Sequence, residues 1–150
     1  MTQQTYINSR GILVVDDFDV ERACYRRYIE RSAQHNYRLI EAETCEEAVA
    51  LIQQKQPDVV LLEYCLPEET APSIINQLKE LNKPCHSAVI VMIEECQAAP
   101  KMAAAAMRAG AQAYLVKDRL TDRILLTTIN QVIASNLSQG KRSASESLTS

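Results

Sequence analysis

One short stretch limits what this chain can become. Between Pro57 and Pro67 four consecutive aliphatics, Val59-Val60-Leu61-Leu62, run into a single carboxylate, Glu63. The run is too short for a helix and too continuously apolar for a half-exposed strand, so it reads as a β-strand covered on both faces. Strands of that kind belong to parallel α/β sheets, which present their chemistry at the C-terminal ends of the strands. Glu63 stands at such an end and is the first candidate functional residue.

The rest of the chain supplies partners for that strand. Gly11-Ile12-Leu13-Val14-Val15 forms a second buried strand and ends in Asp16-Asp17. Acids at that place favour the positive end of a following helix. Asp19 can itself provide that cap, which leaves the pair free to offer oxygens to a hard cation gathered from separate loops. Val20, Cys24 and Tyr28 recur at i, i+4, i+8 among charged residues and predict an amphipathic helix over 20–33. His35 and Asn36 follow in a loop, where His35 reads as a solvated side chain.

Tyr37-Arg38-Leu39-Ile40 is a short strand. Thr44 with Glu47 three residues on predicts a capped helix with Ala48, Val49 and Ile52 inward. Pro72 suits the first turn of a helix carrying Ile74, Ile75, Leu78 and Leu81. Ala88 to Ile93 is a fourth strand and runs into Glu94-Glu95. Pro100 opens an Ala- and Met-rich helix, with Met102 and Met107 as packing residues and Gly110 stopping it after Arg108. Gln112 to Val116 is the last strand and delivers Lys117. Thr121 caps a final helix with Leu125, Ile129, Val132, Ile133 and Leu137 on its inner arc.

Strand and helix alternate five times, and right-handed crossovers between them predict a parallel sheet covered by helices on both faces. The 150 residues, 47% of them hydrophobic, suit one globular domain. Its boundaries are expected at 11–137, with a polar leader at 1–10 and a Ser-rich tail or linker at 138–150. A formal charge of −3 gives no general attraction to nucleic acid or to anionic membrane. Without a signal peptide or an apolar stretch of spanning length the chain reads as cytoplasmic. Five cysteines, Cys24, Cys45, Cys65, Cys85 and Cys96, are odd in number and lack a C-x-x-C pair, so they read as reduced thiols. Three glycines, Gly11, Gly110 and Gly140, exclude a P-loop and a dinucleotide-binding turn. What remains is an acidic edge of Asp16, Asp17, Glu63, Glu94 and Glu95 with one cation, Lys117, to offset it.

Leu13-Val14-Val15-Asp16-Asp17, Pro57 to Glu63, Ala109-Gly110-Ala111 and Tyr114-Leu115-Val116-Lys117, in that order, resemble the receiver domain of two-component response regulators over residues 11–137. The resemblance implies a flavodoxin-like (βα)5 fold in three layers, with a parallel five-stranded sheet of order 2-1-3-4-5. It implies that Asp16 and Asp17 match the acidic pair that binds Mg²⁺, that Lys117 matches the family's lysine, and that Tyr114 matches its switch aromatic. It also implies signalling partners, such as a histidine kinase, an output domain or another regulator. These would meet the face built by the fourth helix, fifth strand and fifth helix, where Arg108, Tyr114, Arg119 and Arg123 are the nominees, and a homodimer is allowed.

Two departures from the family pattern shape the functional expectation. Glu63 stands where the family has its phosphate-accepting aspartate, and its extra methylene shifts the carboxylate by about 1.5 Å. A displacement of about 1 Å can cost on the order of 10²-fold in a reaction that needs in-line geometry. Where the family has a Ser or Thr that binds the phosphoryl group, this chain has Ile93, Glu94 and Glu95. A third departure is Asp118, where most receivers have proline. The expectation is a pseudo-receiver: an interaction module, not an enzyme, that needs no aspartyl phosphorylation and no cofactor. Two alternatives stay open, a constitutively active receiver in which Glu63 imitates phospho-aspartate, and a Mg²⁺-dependent self-phosphorylating domain. The metal question is separate: Asp16, Asp17 and Glu63 can hold Mg²⁺ weakly, or Lys117 can reach Glu63 or Glu94 and close the pocket without it.

Overall fold

The computed structural model describes residues 9–32, 36–83 and 85–149. Most of the expected leader and the loop residue His35 therefore lie outside the described residues. The strands are β1 (Arg10–Val15), β2 (Tyr37–Ala42), β3 (Val59–Glu63), β4 (Ala88–Ile93) and β5 (Ala113–Val116). The helices are α1 (Asp19–Glu30), α2 (Cys45–Lys55), α3 (Ala71–Lys79), α4 (Ala99–Ala109) and α5 (Asp122–Thr149), with a 3-10 turn at Lys117–Arg119. All strand pairs are parallel and the order is β2-β1-β3-β4-β5. This is the flavodoxin-like architecture, in the strand order that the family resemblance implied.

Side chains alternate across a strand with period two, and that alternation divides the core in two. Ile12, Val14, Val59, Leu61, Ile90 and Met92 point to one face and pack under α1 and α5 through Tyr25, Ile29, Leu125 and Ile129. Leu13, Val15, Val60, Leu62, Val91 and Ile93 point to the other and pack under α2, α3 and α4. β1, β3 and β4 are buried on both faces almost throughout, which is why their sequences read as unbroken aliphatic runs.

Local signals place the helix ends. Thr44 accepts a hydrogen bond from Glu47 N at 3.1 Å, and the Glu47 side chain returns to Glu43 N at 3.0 Å, one residue outside the usual capping box. Thr121 accepts from Ile124 N at 3.1 Å. Gly110 ends α4 at φ +125°, a conformation other residues rarely adopt, and a Cβ there would approach the Lys79 Cε to 3.3 Å. The face of α4 turned to the sheet is Ala99, Ala103, Ala106 and Ala109, while Met107 is exposed. Met102 is partly buried against the core, so only one of the two expected packing methionines packs.

Two elements differ from the sequence reading. The buried stripe of α1 is Arg22, Tyr25 and Ile29, not Val20, Cys24 and Tyr28, and Val20 is 82% exposed. Both stripes have helical spacing, and apolarity alone favoured the wrong one. Arg22 can be buried because its guanidinium finds oxygen partners on every side. The helix is entered from Phe18, so Asp19 is its first residue and not its cap. At the other end, the backbone of α5 runs on to Thr149, through the stretch expected as a Ser-rich tail or linker at 138–150. No proline lies in that stretch, and the single Gly140 costs a helix only about 1 kcal/mol. No helix among the described residues is long and apolar enough to cross a membrane.

Candidate functional site

A recess of about 220 Å³ between Pro57, Leu81, Ser87 and Leu137 opens at the N-terminal edge of the sheet. The chemistry gathers at the other end. Val15 is paired with Leu62, so the residues that follow them, Asp16 and Glu63, stand side by side where β1 and β3 end. Period two turns both toward the face that α1 covers, and they are 1% and 5% exposed. Glu21, on the first turn of α1, leans onto the same spot, and one oxygen from each of the three carboxylates lies within 4.8 Å of the others.

Lys117 closes this group. The residue leaves β5, reaches past β4, and sets its ammonium directly on Glu63 Oε2, with Glu21 Oε2 at 2.7 Å and Asp16 Oδ2 at 3.8 Å. Burial works against its charge, but hydrogen bonds to Glu21 and Glu63 hold its pKa above the usual lysine value. Burial pushes Asp16 up to about 8, with a hydrogen bond to Glu21 and the charge of Glu63 adding to the rise. The Phe18 amide, which donates to Asp16 Oδ1 at 2.9 Å, and Lys117 oppose it. Glu63 is also raised by burial against the pull of Lys117. Burial would raise Glu21 too, yet its bonds to Asp16 and Lys117 hold it below the usual carboxylate range. Three carboxyls facing one ammonium cannot all be ionised at low cost, and of the three Asp16 is pushed furthest toward holding its proton.

The acidic edge is therefore smaller than the sequence reading. Asp17 is outside the tight group because its side chain alternates away from that of Asp16, although its Oδ1 is buried without a hydrogen-bond partner. Glu94 and Glu95 lie beyond the end of β4 and are exposed. Glu95 pairs with exposed Arg119 at 3.6 Å. Lys117 reaches Glu63 and Glu21, not Glu94. Tyr114 is 45% exposed on β5. The described peptide bonds include no cis bond, so Lys117-Asp118 is trans. All five cysteines are free thiols. Cys45, pushed up to about 12 by burial and then by Glu69, is held as a neutral donor to that carboxylate.

Sequence reasoning missed Glu21 and Arg22. The available signal was the second stripe of α1, residues 22, 25 and 29, which brings position 21 over the strand ends. Arg22 donates through Nη1 to the Asp16 carbonyl at 2.6 Å and through Nε to Glu41 at 3.2 Å, and its Nη2 meets Asp19 and Glu43. Arg26 adds a forked contact to Glu41 at 2.7 to 3.1 Å. This second network holds the start of α1 against the end of β2 and fixes the backbone from which Asp16 projects.

The donor set fits a hard divalent cation. Its oxygens are carboxylates, and Asp16 Oδ2 and Asp17 Oδ1 are buried with no hydrogen-bond donor. Among the described residues Asp16, Glu21 and Glu63 are the carboxylates whose oxygens lie close enough together to share such an ion.

A family model described as the response regulator receiver domain matches residues 12–129. Protein PilH of Pseudomonas aeruginosa is 32% identical over 123 residues, which cover 82% of this chain and 97% of PilH. Transcriptional regulatory protein YdfI of Bacillus subtilis is 31% identical over 126 residues, covering 84% of this chain, and the match spans only 56% of YdfI. Among solved structures, the CheY-like receiver domain protein of Methanospirillum hungatei superposes with a TM-score of 0.73 at 21% identity. That match covers 87% of this chain and 98% of the other.

Proposed function

The chain belongs to the response regulator receiver family of two-component signalling, and on that premise we propose that it is a pseudo-receiver, an interaction module that works without aspartyl phosphorylation. The observation that carries this reading is the direct ion pair of Glu63 with Lys117 in a buried group. In this reading Glu63 takes the place of the phosphate-accepting residue and Lys117 that of the family's lysine. The carboxylate is one methylene too long for in-line attack and is already bound to the cation that would meet an incoming phosphoryl group. Ile93 is buried and apolar and Glu94 and Glu95 are anionic, so the end of β4 offers no hydroxyl to hold that group.

Receiver domains bind Mg²⁺ at their acidic site, and here Asp16, Asp17 and Glu63 are the proposed ligands. When bound, the ion would supply positive charge to the pocket and pull its carboxyls toward the ionised form. In this reading the domain needs neither the ion nor any other cofactor for its function, and it is not an enzyme.

Recognition is assigned to the face of α4, β5 and α5. Met107, Tyr114 and Ile124 are 41–45% exposed there, beside exposed Arg108, Arg119 and Arg123. A partial apolar surface rimmed by guanidinium groups suits a protein partner with a complementary acidic rim.

The test is an amide NMR spectrum of the labelled domain recorded bare, with Mg²⁺, and with Mg²⁺ plus beryllofluoride. Amides near Glu63, Glu94 and Tyr114 that stay put on beryllofluoride addition support the reading. Shifts at Glu63 that spread to Tyr114 overturn it.

The same Glu63 to Lys117 contact favours a second reading, in which Glu63 imitates a phosphorylated aspartate and locks an active form. A carboxylate carries one charge and two oxygens against nearly two charges and three oxygens. Partner affinity separates the two: Glu63→Asp and Glu63→Gln both weaken it strongly only if Glu63 is a mimic.

A further inference from the structure

Glu21 belongs to none of the four motifs that carry the family resemblance, and nothing in the pseudo-receiver reading requires it. It is nevertheless the third carboxylate of the group and one of the two that touch the Lys117 ammonium. Its position is specific. It projects from the first turn of α1, its side chain is 26% exposed, and it meets Lys117 Nζ at 2.7 Å across a separation of 96 residues. Below it lie two nearly fully buried carboxylates: Glu63, whose Oε2 carries the ammonium, and Asp16, whose Oδ2 has no hydrogen-bond donor. The centre of a site with hard-cation chemistry is thus filled by an ammonium, and Glu21 is the residue that holds it from above.

We propose that Glu21 is a positioning residue that keeps Lys117 in the pocket as a resident cation, so that a divalent ion must break the Glu21 to Lys117 pair before Asp16 and Glu63 can bind it. The inference rests on the receiver-type acidic site but not on the absence of phosphoryl transfer.

The physical argument is competition for the same oxygens. Lys117 bonds directly to Glu63, so a metal on Glu63 must push the ammonium aside. Glu21 gives that ammonium a second charged partner and so strengthens its hold. An alternative role for Glu21 is direct ligation, since its oxygen lies in the same 4.8 Å group. The two roles predict opposite signs. If Glu21 serves Lys117, removing its charge loosens the competitor and metal binding tightens. If Glu21 is a ligand, removing its charge weakens binding.

The experiment titrates Mn²⁺, and then Mg²⁺ against Mn²⁺, into the whole chain at neutral pH, reading free Mn²⁺ by electron paramagnetic resonance. It compares wild type, Glu21→Gln, Lys117→Met and the double variant. Glu21→Gln is expected to tighten binding about tenfold, the scale of one charge-assisted hydrogen bond. Lys117→Met is expected to tighten it at least as much. In the Lys117→Met background Glu21→Gln is expected to give no further gain, because the residue acts through the lysine. A weaker or unchanged affinity in Glu21→Gln overturns the proposal, as does an equal gain with and without Lys117. Glu21 is partly exposed, and circular dichroism of Glu21→Gln checks that its fold is intact. The beryllofluoride spectra speak only to the phosphoryl switch, so either inference can fail while the other stands.

Discussion

Two charged networks share the first turns of α1, and they are built on different terms. Glu21 joins Asp16, Glu63 and Lys117 over the ends of β1 and β3, while Arg22, the next residue, joins Asp19, Glu41, Glu43 and Arg26 beside the end of β2. The arginine network is saturated: planar donors meet carboxylates and a carbonyl from several directions, and Glu41 is held by two guanidinium groups. The lysine network sets one ammonium against two buried carboxyls and the partly exposed Glu21, and Asp16 Oδ2 gets no donor. A cluster that serves only to hold a helix can satisfy all its atoms, whereas the lysine group leaves a buried carboxylate oxygen without a donor and raises Asp16 far above its ordinary value.

The contrast can be broken from either side. The largest effect is expected for Lys117→Met, which strands the carboxyl group without its cation. Denaturant unfolding at neutral pH should show a loss of roughly 3–5 kcal/mol, the scale for removing one partner of a buried pair. Arg22→Met should cost less, about 1–3 kcal/mol, because Glu41 keeps Arg26 while the Asp16 carbonyl loses its donor. If the arginine variant proves the more damaging, the ranking of the two networks is reversed.

A pH series sharpens the comparison further. Asp16 rises from its ordinary 3.8 to about 8 in the fold, so the native state binds the extra proton in between. Stability should fall as pH climbs from about 4 to about 8 and then level off. Glu63, also raised, adds to the fall, whereas lowered Glu21 contributes stability that is lost below its ordinary 4.5. Lys117, raised above 10.5, affects only more alkaline conditions. Melting temperatures of wild type and Asp16→Asn across this range check it, with the variant expected to be flatter. An equal slope in both would place the proton elsewhere. The smallest effect is expected for Tyr114→Ala on the exposed face, within about 0.5 kcal/mol in unfolding. Its proposed role in recognition should appear in partner affinity alone.

Much of the fold was legible because buried parallel strands leave an unmistakable trace. Val59 to Leu62 and Ala88 to Ile93 could face nothing but core, and the residues just past such strands must emerge at the C-terminal edge of the sheet. That logic put Asp16, Glu63 and Lys117 at one strand edge, where the structure brings them together. It failed for Glu94 and Glu95, which leave the sheet for solvent once β4 ends. It failed again on α1, where two stripes had helical spacing and the correct one contains an arginine. No hydrophobicity count buries Arg22. Its burial becomes affordable when Glu41 arrives from β2, 19 residues on, beside the Asp16 carbonyl, Asp19 and Glu43.

The sequence by itself determined the order of strands and helices, the turns and caps that separate them, and which carboxylates end up at the strand termini. These follow from local rules: period two or 3.6, proline and glycine geometry, and side chains that cap their own helix. The tertiary structure decided which of those carboxylates meet. The rotation of α1 substituted Glu21 for Asp17 in the tight group, and the reach of Lys117 from β5 filled its centre. Such pairings depend on how rigid elements are turned against one another, and that is set by packing and charge satisfaction across long sequence separations.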